Sequence, residues 1–179
     1  MTPPADAETK SAGARDRCAG CGFEYDLDRA PEAGAAIVAG CEEIAAILVD
    51  PSLDVRTRHE PDTWSALEYA CHVRDVLLVQ RERVLEARRT DRPSFSTMGR
   101  EERVGHDGYA EQQPEAVARQ LVDAAHLFAN VLNRLGSDEW ERMVIYSYPV
   151  ETERSLRWVA VHTVHEVQHH LQDVRAQAG

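Results

Sequence analysis

The sequence predicts an all-α domain, a four-helix bundle that holds a metal, and three observations predict it. Apolar residues recur at helical spacing in four separate segments. The composition is rich in alanine and only 6% aromatic, which favours helix. Four of the eight histidines fall between His162 and His170, within one predicted helix.

The composition also bounds the function. A chain of 179 residues with 43% apolar side chains can bury one sizeable core. The net charge of −11 repels phosphate backbones and anionic membranes. No local basic patch offsets it, because Arg81/Arg83 and Arg88/Arg89/Arg92 are interleaved with Glu and Asp. Neither a nucleic acid nor a membrane is expected as a partner. No apolar run approaches the roughly 18–20 residues that span a bilayer. The start, Met1-Thr-Pro-Pro-Ala-Asp6, lacks the basic and apolar regions of a signal peptide, so a cytoplasmic location is expected. The four cysteines, Cys18, Cys21, Cys41 and Cys71, are then not expected to form disulfides.

Residues 1–30 read as an N-terminal lead. Residues 1–17 are Ala-, Pro- and charge-rich without periodicity, which predicts disorder. Cys18-Ala-Gly-Cys21-Gly22-Phe23-Glu-Tyr25 follows. A CxxC before glycine is half a zinc ribbon, a redox pair, or two ordinary thiols in a tight turn. No second CxxC exists. Further zinc ligands would have to be His59 or the same pair in a second subunit, so the thiols are expected to stand apart from the histidine metal.

Residues 31–179 read as the bundle. Helix 1 spans 31–50, with Pro31 at its first position and Asp50-Pro51 at its end. Gly34, Ile37, Cys41, Ile44 and Leu48 form its apolar stripe, which makes Cys41 a core residue. Asp62 or Thr63 is expected to cap helix 2, which starts at Trp64 and reaches about residue 90. Glu68, His72 and Asp75 share one of its faces, while Cys71 points about 100° away from His72.

Residues 91–113 form a long connection between helices 2 and 3, a length often associated with function. Tyr109 and Arg103 on it are candidates to reach a pocket. Pro114 opens helix 3, whose stripe is Val117, Leu121, Ala124, Phe128, Val131 or Leu132, and Leu135, with Gly136 as the stop. Residues 143–150 look extended, and Pro149 argues against a central strand.

Helix 4 runs from about Glu153 to Gln177. Ala160, Val164, Val167, Leu171 and Val174 form an apolar stripe nearly opposite His162, His165 and His169. His165 and His169 stand at i and i+4, one above the other, a spacing that lets two imidazoles grip one ion. Cover on both sides of this helix could come from the bundle itself or from a homodimer.

Two elements now stand in order: Trp64-Ser65-x-x-Glu68-x-x-x-His72-x-x-Asp75 and His162-x-x-His165-Glu166-x-x-His169-His170. Together with Gly108-Tyr109, Trp140-x-Arg142 and Arg154-x-Leu156-x-Trp158, they resemble the DinB/YfiT-like superfamily of metal-binding four-helix bundles. They are also similar to the N-terminal domain of mycothiol-dependent maleylpyruvate isomerases. The resemblance covers roughly residues 30–177.

The resemblance implies His72, His165 and His169 as ligands of a divalent metal, zinc first, with nickel or iron as alternatives. His162 is the reserve ligand and His170 is expected to be dispensable. It implies a low-molecular-weight thiol, such as mycothiol, and hence a thiol S-transferase or thiol-dependent isomerase acting on a small electrophile. Glu68, Asp75 and Glu166 would orient imidazoles or move a proton. Tyr109 and Arg103 would meet the thiol or its electrophile beside the 91–113 connection. The alternatives are a metal-dependent hydrolase using the same ligands to activate water, and a dimeric metal-bound module without catalysis.

Overall fold

Two serines start the helices that matter most here. Ser65 caps α2 (Ala66–Arg89) through a capping box: its hydroxyl accepts from the Glu68 N–H, and the Glu68 carboxylate accepts from the Ser65 N–H at 2.8 Å. The cap is thus Ser65, not the expected Asp62 or Thr63, and Ser65-x-x-Glu68 is the sequence signature of it. Ser155 caps α6 (Leu156–Gln177), accepting from the Trp158 N–H at 3.2 Å. The computed structural model describes residues 16–147 and 150–179. Most of the predicted disordered lead, and the expectation attached to Pro149, lie outside them.

The other helices are α1 (Ala33–Leu48), α3 (Arg100–His106), α4 (Pro114–Leu132) and the single turn α5 (Ser137–Trp140). Pro31 lies in a 3-10 turn, Leu27–Glu32, that leads into α1, so the α-helix begins two residues after the expected start. The predicted connection of 91–113 contains a short strand β1 (Ser94–Phe95) and α3. The extended stretch at 143 is β2 (Met143–Tyr146), which runs parallel to β1 and pairs antiparallel with β3 (Thr152–Ser155). β3 feeds directly into α6.

The four long helices α1, α2, α4 and α6 form the bundle. α1 and α2 each pack against both α4 and α6, so the order round the ring is α1–α4–α2–α6. Consecutive long helices α1 and α2 therefore stand diagonally, as do α4 and α6. That placement needs the long connections at 49–65 and 133–155.

All the predicted stripes point inward. Ile37, Cys41 and Ile44 of α1, Leu121 and Phe128 of α4, and Ala160, Val167 and Val174 of α6 are buried. Gly40 allows α1 and α6 to close, since a Cβ there would stand 2.6 Å from Val167 Cγ1. No helix among the described residues is long and apolar enough to cross a membrane.

Candidate metal centre

α6 is wedged between α1 and α2, so its polar residues face two neighbourhoods. Successive positions on a helix turn by about 100°. The pairs His165/His169 and Glu166/His170, each at i and i+4, therefore look in different directions. Across from the second pair stands His72 of α2.

His72 is 2% exposed, and neither ring nitrogen makes a hydrogen bond among the described residues. Its Nε2 lies 3.9 Å from Glu166 Oε2, and His170 Nε2 lies 3.7 Å from the same oxygen. Those separations are too long for hydrogen bonds. They are close to the roughly 3.3–3.5 Å between donors that share a tetrahedral ion at about 2.0–2.1 Å. His72, Glu166 and His170 bring one ligand atom each within 4.8 Å of the others.

The electrostatics agree with that donor set. Burial pushes the His72 imidazole below its ordinary pKa, towards the neutral form that binds metals. Burial alone would raise Glu166, but the facing imidazoles of His72, His162 and His170 outweigh it and hold the carboxylate well below the usual range. Asp173 accepts a hydrogen bond from His170 Nδ1 at 2.8 Å. That contact fixes the proton on Nδ1 and turns Nε2 towards Glu166, the carboxylate–histidine arrangement that supports a ligand. Two imidazoles and a carboxylate, with the His72 ring buried and without a hydrogen bond among the described residues, fit a divalent metal.

The three residues face a cavity of ≈ 310 Å³. Val76, Val79 and Met98 supply apolar wall, and Arg83, Arg100 and Tyr146 supply polar groups. Arg83 and Gln80 both donate to the Tyr146 hydroxyl, at 3.0 and 2.9 Å. Residues 97–102, from the connection between α2 and α4, close one side. The long connection thus reaches the site, but not through the residues expected.

Tyr109 and Arg103 instead bind Asp75: the Tyr109 hydroxyl and an Arg103 N–H donate to its Oδ2 at 2.8 and 3.1 Å. Arg74 Nε donates to the other oxygen at 2.9 Å. None of Asp75, Arg103 and Tyr109 lines the histidine cavity. They tie the α2–α4 connection to α2. Glu68, also expected at the metal, accepts two bonds from Arg58 and completes the α2 cap, so both its oxygens are engaged away from His72. Of the three expected catalytic carboxylates, Glu166 alone stands beside imidazoles, those of His72, His162 and His170.

The other expected ligands, His165 and His169, line the same cavity as His72, but among the described residues the three form no group of ligand atoms within 4.8 Å. His165 and His169 gather with Cys18 and Cys21, again with ligand atoms within 4.8 Å of one another. His162, the reserve ligand, groups with His165 and Glu166. His170, expected to be dispensable, faces His72. The cysteine lead, expected to stand apart from the histidines, packs on α6.

Residues 42–174 match the DinB superfamily. The chain belongs to that superfamily. No curated protein sequence matches it significantly. Among solved structures, this DinB-superfamily chain resembles YfiT from Bacillus subtilis, described as a probable metal-dependent hydrolase with an unusual four-helix bundle topology. The TM-score is 0.72 at 12% identity, over 95% of this chain and 91% of that one. At that identity the likeness is one of fold.

Two signals in the sequence mark these groupings. Glu166 and His170 repeat the i, i+4 spacing one residue out of phase with the histidine pair. A CxxC is two ligands short of a closed zinc set, and a helical HxxxH carries two imidazoles at the spacing that could complete one.

Proposed function

We propose that this protein is a divalent-metal-dependent hydrolase of a small amide or ester, with His72, Glu166 and His170 as the metal ligands. The observation that carries this is His72, buried on the cavity wall without a hydrogen bond among the described residues, with Glu166 at ligand-sharing distance from both it and His170. The description of YfiT as a probable metal-dependent hydrolase supports the same class. Two histidines and a glutamate also form the zinc donor set of well-studied metallohydrolases.

A metal held there would lower the pKa of a bound water to about 7 and polarise a carbonyl. The chain's own residues do the rest. Asp173 holds the His170 ring so that Nε2 faces the cavity. Val76, Val79 and Met98 exclude water from the apolar part of a substrate. Arg100, and Arg83 stacked at 4.9 Å over Tyr146, offer positive charge to an anionic end.

A low-molecular-weight thiol is the second reading. The open side of the donor set would accept a thiolate as readily as water, and the cavity's arginines suit a carboxylated thiol and its electrophile.

The test is turnover of an ester and amide panel by protein as purified, after chelation, and after reconstitution with zinc, nickel or iron, each with and without added thiol. Metal-dependent, thiol-independent hydrolysis is expected. Turnover that requires the thiol assigns the protein as an S-transferase or isomerase, and turnover indifferent to chelation overturns the metal reading.

A further inference from the structure

The N-terminal turn carries two thiols that the cavity does not use. Cys18 N–H donates to Phe23 O at 2.8 Å and Gly22 N–H donates to Cys18 O at 2.9 Å, which folds residues 18–23 into a tight knuckle. Gly22 has φ +77, a conformation that suits glycine. Gly20 is needed for a different reason. A Cβ there would stand 3.2 Å from Cε1 of His169, so glycine lets the turn close on that ring.

The ring is oriented for it. His169 Nδ1 lies 3.7 Å from Cys18 Sγ, while its Nε2 lies 3.8 Å from Asp173 Oδ2. Around zinc, with Zn–S about 2.3 Å and Zn–N about 2.0–2.1 Å, sulfur and nitrogen donors stand about 3.6 Å apart. His165 sits one turn earlier on α6. Tyr25 Oη bonds its Nδ1 at 2.8 Å, which assigns Nε2 as the ligand nitrogen. Phe23 packs against the same ring, with centroids 5.4 Å apart.

We propose that Cys18, Cys21, His165 and His169 form a second, structural zinc site that clamps the N-terminal knuckle onto α6. It is a closed set of four protein ligands, as structural zinc requires, where the cavity's three leave a position open. Binding displaces the two thiol protons to solvent and involves no change of oxidation state. The ligands come from residues 18–21 and 165–169, so the ion joins segments far apart in the sequence.

The clamp also orders the cavity wall. Coordination through His165 Nε2 puts the ring proton on Nδ1, which donates to Tyr25 Oη. That hydroxyl then donates to His162 Nδ1, 2.9 Å away on the cavity lining. This clamp does not depend on hydrolysis in the cavity.

The test is cobalt substitution of the full chain, read by absorption. The wild type should show an intense thiolate-to-cobalt charge-transfer band with the visible bands of a tetrahedral ion. His72→Ala should keep the charge-transfer band and Cys18→Ser/Cys21→Ser should lose it. Metal-loaded wild type without that band overturns the proposal, and this reading needs no variant to fold. A band that survives in the double serine variant, and so arises from Cys41 or Cys71, also overturns it. Activity lost in His72→Ala with the band retained would leave the two sites distinct.

Discussion

Asp75→Asn should unfold the protein more readily without emptying the metal cavity. Asp75 is 4% exposed and accepts from Tyr109, Arg103 and Arg74. The amide keeps the shape but removes the charge, and it sets an NH2 group against one of those donors. Removing one partner of a buried ion pair costs about 3–5 kcal/mol. The loss here should be smaller. The Arg103 side chain is 39% exposed, and Arg74 keeps Asp107 at 3.2 Å and the Gln112 and Gln120 amide oxygens at 2.7 Å. A loss of about 2–4 kcal/mol follows. For a chain of this size Tm moves by about 2–4 °C per kcal/mol, so the drop should be about 4–16 °C. Thermal unfolding by circular dichroism measures it, and metal content and turnover per folded molecule should stay at the wild-type level. An unchanged Tm with loss of metal or turnover would refute the structural role and return Asp75 to the site.

Gly40→Ala should cost about 1–3 kcal/mol through its clash with Val167. Gly105→Ala, in α3 with none of the described residues within 4 Å of the new methyl, should be neutral or stabilising by up to about 1 kcal/mol. Chemical denaturation of the pair reads both, and equal effects would contradict the close α1–α6 approach. Burial raises the Glu68 carboxyl, but Arg58 and the Ser65 N–H lower it by more, so its folded pKa lies below the ordinary value. Its contribution is present above the unfolded pKa of about 4.3 and is lost as pH falls through the folded value. The stability gap between wild type and Glu68→Gln should therefore close on acidification, and a gap constant from neutral to strongly acid pH would contradict the Arg58–Glu68 pair.

The helices were legible because an apolar stripe at helical spacing must be buried. Ile37, Leu121 and Val167 meet in the core that their spacing predicts. The diagonal placement of α1 and α2 was not legible, since the loop at 49–65 encodes a length rather than a destination. The site turned on that placement. Two i, i+4 pairs, His165/His169 and Glu166/His170, differ by one residue, and only the position of α2 decides which of them faces His72. The histidine pair is the more conspicuous pattern, and it lines the cavity too, but its ligand atoms gather with the cysteines. Likewise Asp75 and Glu68 share a helical face with His72, yet Arg103, Tyr109 and Arg58 reach them from segments whose paths no periodicity reveals.

The most direct test is metal content in a Cys18→Ser/Cys21→Ser background, where the cavity ion alone should remain. Elemental analysis of His170→Ala and His169→Ala made in that background compares the two helical pairs. With His72, Glu166 and His170 as ligands, His170→Ala should leave the protein without metal, and His169→Ala should retain about one ion per chain. Metal kept in His170→Ala and lost in His169→Ala would contradict the assignment and restore His72, His165 and His169 as the metal-binding set.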